Sequence, residues 1–306
     1  MSEHLDLHPA QPGGTVLVGG ASGLIGSRLV SALQADGATV RRLVRREPRT
    51  PEEVAWSPAE GRLDPAALDD VTAVVVLSGA GVGDHRWTRA YTRELVRSRT
   101  SSVSIVAARL AQAGSSARLV TASAVGYYGD RGEDVLTESS GPGEGFLADL
   151  CQAWERAADP AREVTSVAHA RTGIVLAPEG GALGRLRPLI RLGVAGPLGS
   201  GRQWWPWITL EDEVRALVHL TRSGVTGPVN LTAPEPVRNR ELIRTFAAAM
   251  HRPAVLPVPA FALRAALGGF AGDLLASQRV LPEALLADGF EFTSPTIEDA
   301  ADALVA

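Results

Sequence analysis

The sequence predicts an α/β fold: a doubly wound parallel sheet followed by a smaller, mixed C-terminal domain on the substrate side. Three observations carry this. Val16-Leu17-Val18 leads into glycines spaced G-x-x-G-x-x-G (Gly20, Gly23, Gly26), and a helical pattern follows at once. Val71–Leu77 is a near-continuous apolar run, as a parallel strand covered on both faces requires. Strand and helix patterns alternate as far as Pro178, which implies right-handed crossovers and a parallel sheet.

Residues 1–13 read as a flexible polar tail. The first strand is Thr15–Val18. The helix after the glycines places Leu29, Val30 and Leu33 on one face and stops near Gly37. Thr39–Val44 is the second strand and ends in Arg45-Arg46; a short third strand sits at Val54–Trp56. A long helix is expected over Thr88–Ala113, a strand at Arg118–Ala122 and a loop over Ser123–Asp130. A helix over Phe146–Ala158 follows, then strands at Ser166–Ala170 and Gly173–Leu176. Beyond Pro178 the glycines multiply, and Trp204, Trp205 and Trp207 form a dense aromatic cluster. Asn239 is expected to cap a helix over Arg240–Met250. The predicted organisation is a sheet domain over 14–178, to which 207–232 returns, and a smaller domain over 179–306.

The glycine spacing has a physical meaning. Gly20 allows a tight turn, Gly23 lets a pyrophosphate approach the backbone, and Gly26 lets the helix pack on the strand. First-turn N–H groups and the helix dipole then hold the anion. This is a Rossmann-type arrangement, and Gly20, Ser22, Gly23, Leu24, Ile25 and Gly26 are its expected cofactor contacts. Ligands of such sheets sit at the carboxyl ends of the strands. Arg45, Arg46, the Ser78-Gly79-Ala80 turn and the Ser123–Gly129 loop therefore converge on one crevice. An NAD-binding fold places an acid about 20 residues past the glycines to accept from the ribose hydroxyl. Here that position is Arg45, followed by Arg46. A guanidinium suits a 2′-phosphate, so the predicted cofactor is NADP(H).

Composition excludes other classes. A net charge of −4 at pH 7 argues against a nucleic-acid partner. The single Cys151 forms neither an internal disulfide nor a metal cluster, and the six histidines lack ligand spacing, so no metal is expected. No apolar run reaches the ~18 residues that span a bilayer, and the N-terminus lacks the regions of a signal peptide. A cytoplasmic protein with a small-molecule substrate and no membrane partner is expected. All thirty basic residues are arginine, which rules out a Schiff base or a lysine general base.

Longer strings carry a resemblance. They include Arg86-Trp87-Thr88, Thr121 to Asp130 (TASAVGYYGD), Arg171 to Leu176 (RTGIVL), Gly196 to Gln203 (GPLGSGRQ), Asn230 to Pro234 (NLTAP) and Ser277 to Pro282 (SQRVLP). Together they resemble the epimerase family proteins, atypical extended short-chain dehydrogenases/reductases that end in a small domain of unknown function. The likeness runs from Thr15 to about Leu304. It implies a serine, and a Tyr-x-x-x-Lys pair on a helix, that move the proton accompanying hydride transfer. Ser123 matches the serine. The helix that should carry the pair has Leu147 and Cys151 in those places, so the usual dyad is absent.

Ser123 is therefore expected to orient a carbonyl, with Tyr127 or Tyr128 as proton donor, or else an acid such as Glu138 or water in their place. Trp87, Glu138, Arg202, Gln203 and Trp205 are the candidate substrate pocket. The expected activity is NADP(H)-dependent oxidoreduction of a small organic carbonyl or hydroxyl compound. Two alternatives stay open: a regulator that senses NADP(H) without consuming it, and a nucleotide-sugar epimerase or dehydratase.

Overall fold

The computed structural model describes residues 13–254 and 256–305. The expected N-terminal tail, apart from Gly13, lies outside the described residues. The chain runs β1 (Thr15–Gly19), α1 (Leu24–Ala35), β2 (Thr39–Val44), β3 (Glu53–Ser57), β4 (Arg62–Leu63), β5 (Val71–Val76), α2 (Arg89–Ala113) and β6 (Arg118–Ala124). Next come β7 (Val135–Leu136), α3 (Phe146–Arg156), β8 (Val167–Thr172), β9 (Ile174–Leu176), α4 (Gly181–Arg191), β10 (Trp204–Trp205), β11 (Trp207–Thr209) and α5 (Leu210–Leu220). The remainder is β12 (Gly227–Leu231), β13 (Val237–Arg238), α6 (Asn239–Ala249), α7 (Ala260–Leu267), α8 (Phe270–Leu275), β14 (Arg279–Val280), α9 (Glu283–Ala287) and α10 (Ile297–Val305).

Eight strands form one sheet in the order β12-β8-β6-β5-β1-β2-β3-β4. All neighbours are parallel except β4, which runs antiparallel to β3. The chain leaves β1 toward β2 and β3, then returns to the other side of β1 as β5. That reversal opens a crevice at the carboxyl ends of β1 and β5.

Alternation along β1 explains why both sheet faces are apolar. Val16 and Val18 face α1 and α5, packing with Leu29, Leu33 and Leu217. Leu17 faces the other way, into a core shared with Val74, Leu110, Leu119 and Trp154 under α2 and α3. A third core holds the smaller domain together around Trp205, Trp207, Leu242 and Phe246. Gly173 is where the chain leaves the main sheet: a Cβ there would lie 2.8 Å from the Pro206 carbonyl oxygen. β9 then pairs with β11 outside the main sheet, while β12 rejoins it beside β8.

Two caps show local and distant control. Thr209 caps α5 by accepting from the Asp212 N–H at 3.1 Å. The Asp212 carboxylate in turn accepts from the N–H groups of Thr293 and Ser294, tying the C-terminal segment to α5. Asn239 does not cap its helix as expected. It is the first helical residue after Arg238, and its Oδ1 accepts from the Leu198 N–H at 2.8 Å. A buried backbone donor 41 residues away outcompetes the adjacent turn.

Candidate active site

The glycine turn is built as its spacing requires. Gly20 has φ +84°, and a Cβ on it would sit 2.9 Å from the Leu77 carbonyl carbon. A Cβ on Gly26 would sit 2.1 Å from the Gly20 carbonyl oxygen. Gly23 differs: a Cβ there comes no closer than 3.4 Å to the protein, and the residue lines a cleft.

That cleft measures about 810 Å³ and follows the carboxyl edge of the sheet. Its floor is Gly20–Gly23 and Ser78–Ala80; its end over β2 and β3 carries Arg42, Arg45, Arg46 and Glu53. Of the expected contacts, Gly20, Ser22, Gly23, Arg45, Arg46, Ser78, Gly79 and Ala80 line it. Leu24, Ile25 and Gly26 do not. Leu24 lies against Gly180 and Gly181, Ile25 packs on the sheet core, and Gly26 spaces α1 from the turn. Helix α2 adds Arg97, Ser98, Ser101 and Ser102, which the sequence reading missed. Their i, i+3, i+4 spacing is a polar helical stripe that could have been recognised. Ser98 accepts from the Ala80 N–H at 3.1 Å and so fixes the turn.

The arginines are not equivalent. Arg46 donates to both oxygens of Glu53 at 2.7 Å. This fork, with the Arg49 N–H, pulls the Glu53 carboxyl down to about 2. Arg45 is exposed and forms no ion pair among the described residues.

Beside the cleft, at the ends of β6 and β8, lies a buried polar network. Arg171 grips Glu155 through Nε and Nη2, each at 2.8 Å. Ser123 Oγ donates to the same carboxylate at 2.7 Å. Arg171 Nη1 donates to the Tyr128 hydroxyl at 3.0 Å, and that hydroxyl donates to Asn230 Oδ1 at 2.7 Å. Burial pulls the Glu155 carboxyl upward, but the Arg171 guanidinium outweighs it and holds the group below its ordinary range. Burial pushes the Tyr128 phenol up to about 12 against the opposing pull of Arg171.

These contacts redistribute the expected roles. The Ser123 hydroxyl is committed to Glu155 rather than presented to a carbonyl. Tyr128 is fully buried with its hydroxyl engaged on both sides, which removes it from proton donation to a cleft. Tyr127 is half-buried, with the Arg171 guanidinium 3.4 Å above its ring centroid. Its hydroxyl has no protein partner among the described residues. Leu147 packs against Gly126, and Cys151 donates to the Ala124 carbonyl at 3.6 Å. Burial pushes the Cys151 thiol up to about 12.

The substrate-side residues separate as well. Glu138 Oε1 accepts from the N–H groups of Asn230 and Ala284, so it fastens β12 to α9. Gln203 and Trp205 are buried and donate to the Leu274 carbonyl; they build the smaller domain rather than a pocket. Trp87 donates to the Val82 carbonyl at 2.8 Å and stacks edge-on to Phe146, between the sheet domain and α8. Arg202 is exposed. Glu155 and Asn230 join the network although sequence reasoning assigned neither a site role; only the tertiary fold reveals their partners.

A parallel sheet with its glycine turn at the strand-order reversal and a second domain across its carboxyl edge defines a Rossmann-type protein. The chain belongs to the NAD dependent epimerase/dehydratase family, which residues 16–232 match. Residues 258–304 match a domain of unknown function, DUF1731. The epimerase family protein Mb2239 of Mycobacterium bovis is 48% identical over 288 residues, covering 93% of this chain and 95% of that protein. The crystal structure of human epimerase family protein SDR39U1 (isoform 2) with NADPH matches at a TM-score of 0.85 and 32% identity, covering 95% of this chain and 99% of that one. The nucleoside-diphosphate sugar epimerase from Corynebacterium glutamicum matches at 0.78 and 32%, covering 95% of this chain and 57% of that one.

Proposed function

We propose that this protein binds NADP(H) in the sheet-edge cleft and acts as an oxidoreductase on a small organic carbonyl or hydroxyl compound. The observation that carries the proposal is the cleft: a glycine cradle at the switch point with an arginine cluster at one end. Its volume suits the group, since cofactor sites run to about 300–1,000 Å³. Gly23 supports the fit, because a side chain there would meet the cleft before it met the protein. The human relative crystallised with NADPH supports the choice of nucleotide.

Gly20–Gly23 would hold the pyrophosphate, and Arg45, which has no ion-pair partner among the described residues, the 2′-phosphate. Arg46 would shape that end while held by Glu53. Ser78–Ala80 would line the middle of the cofactor. The bound dinucleotide supplies or accepts a hydride. Tyr127, next along the sheet edge, would donate the accompanying proton from its hydroxyl to the carbonyl oxygen. Arg171 would hold the phenol ring in place of the missing lysine. We place the protein in the cytoplasm, a setting that suits its lone, buried thiol.

Titration should show NADPH binding more tightly than NADH. Arg45→Ala should raise the NADPH Kd by about tenfold and leave the NADH Kd unchanged, as loss of one charge-assisted phosphate contact requires. Equal affinities for both nucleotides in the parent protein would overturn the assignment. Incubation with NADPH and a panel of carbonyl compounds, followed by reduced-nicotinamide absorbance, tests the chemistry. Tyr127→Phe should lower turnover by about 10²–10⁴-fold with NADPH affinity unchanged. Tight binding without oxidation of any compound would instead identify an NADP(H) sensor. A second reading, nucleotide-sugar epimerisation, is favoured by the Corynebacterium glutamicum likeness; it requires purified protein to retain oxidised cofactor.

A further inference from the structure

Charge is segregated along this chain in a way its net value hides. Residues 180–210 and 242–272 contain no aspartate or glutamate, yet together carry seven of the thirty arginines. All 34 acids lie elsewhere. The fold brings the two stretches together. Arg252 Nε donates to the Arg191 carbonyl at 3.0 Å. Val258 N–H donates to the Pro197 carbonyl at 2.9 Å, and Gly199 N–H to the Val258 carbonyl at 2.8 Å. The end of α4, the segment after it and the approach to α7 thus form one continuous strip on the smaller domain.

The same strip holds the exposed apolar surface. Eight large apolar side chains are exposed among the described residues, and five of them are here: Leu189, Leu192, Val194, Leu256 and Phe261. Leu192 and Phe261 are each 75% exposed, the highest values of the eight. Arg191, Arg252 and Arg264 are exposed among them, and none forms an ion pair among the described residues.

We propose that this strip seats the protein on an anionic lipid surface. Exposed leucine and phenylalanine interleaved with arginine is the composition that enters the headgroup boundary, with apolar tips below and guanidinium groups at the phosphates. Each arginine near a negatively charged leaflet adds attraction that salt screens. A second copy of this chain is the poorer occupant. A two-fold interface places the same patch on itself, and would set these arginines against each other with no acid between them. A nucleic acid would match the charge and leave the five apolar side chains without a role. The sequence-based expectation of no membrane partner rested on the lack of a spanning segment. No helix among the described residues is long and apolar enough to cross a membrane; a surface-seated protein needs none.

The test is sedimentation of the full chain with vesicles. Phosphatidylcholine vesicles containing phosphatidylglycerol should carry the protein down, pure phosphatidylcholine vesicles should not, and added salt should release it. The pair Leu192→Ser and Phe261→Ser, which removes two exposed apolar tips, should cut the vesicle-bound partition by about tenfold or more. The pair Arg191→Glu and Arg264→Glu should do the same by reversing charge. Thermal unfolding of both double variants should match the parent protein, since every altered side chain is exposed. No sedimentation with anionic vesicles, or equal sedimentation with neutral ones, overturns the proposal. So does a dimer seen by light scattering without lipid that both variant pairs dissolve, which would assign the strip to a second copy.

Discussion

Replacing Arg171 with alanine is expected to lower the unfolding free energy by about 3–5 kcal/mol, the cost of leaving a buried partner charge uncompensated. Among the described residues Glu155 would keep only Ser123 as a side-chain partner, in a site that already opposes its charge by burial. Tyr128 would lose one of its two partners, and Tyr127 the cation lying on its ring. Lysine is no conservative substitute, because three of the fork's donors are used at once: two by Glu155 and one by Tyr128. Urea denaturation measures the effect. The double change Glu155→Leu with Arg171→Leu should recover part of the loss, since replacing both members of a buried pair avoids an orphaned charge. If Arg171→Ala cost less than about 1 kcal/mol, the pair would be no more than a surface contact. Should Tyr127 donate the proton, the same variants would also lose turnover through the released ring.

Gly26→Ala and Gly23→Ala are expected to fail in opposite ways. The added carbon at position 26 would overlap the Gly20 carbonyl oxygen at 2.1 Å, and that oxygen is backbone in the tight turn itself. Relief requires α1 to move off the sheet, so a loss of about 3 kcal/mol or more is expected by thermal or urea unfolding. Gly23 has ordinary extended backbone at φ −76° and ψ 173°, and its added carbon would meet nothing closer than 3.4 Å. Stability should stay within about 1 kcal/mol of the parent, the range for a changed helix N-cap. The methyl group would stand where the pyrophosphate is proposed to approach, so NADPH affinity should fall by about tenfold or more. Unchanged NADPH affinity in Gly23→Ala would place the dinucleotide elsewhere.

Much of the fold was legible because it is decided locally. The β2 strand begins and ends at the predicted residues, and α2 runs within one residue of its predicted span, Thr88 serving as its cap, where its hydroxyl accepts from Tyr91 N–H. Strand alternation, glycine turns and caps depend on neighbours within a few residues, which a sequence displays directly. Gly20 and Gly26 belong to this group, and so does Arg45 at the end of β2. Misreadings arose where a side chain had a choice of partners. Asn239 passed over its own helix for Leu198. Gln203 and Trp205 were expected at a ligand and instead anchor α8 through Leu274.

The sequence by itself determined the alternation of the principal strands and helices as far as Pro178, the glycine turn at the sheet's carboxyl edge and the arginine that follows β2. Those features follow from residue periodicity and backbone sterics over short spans. Only the tertiary structure decided which hydroxyls are free. Tyr127 and Tyr128 are adjacent in sequence, yet Tyr128 is sealed by Asn230, 102 residues away, while Tyr127 keeps its hydroxyl without a protein partner among the described residues. A buried polar group must find its partner wherever the packed sheet delivers one, and nothing in the local sequence records which distant residue that will be.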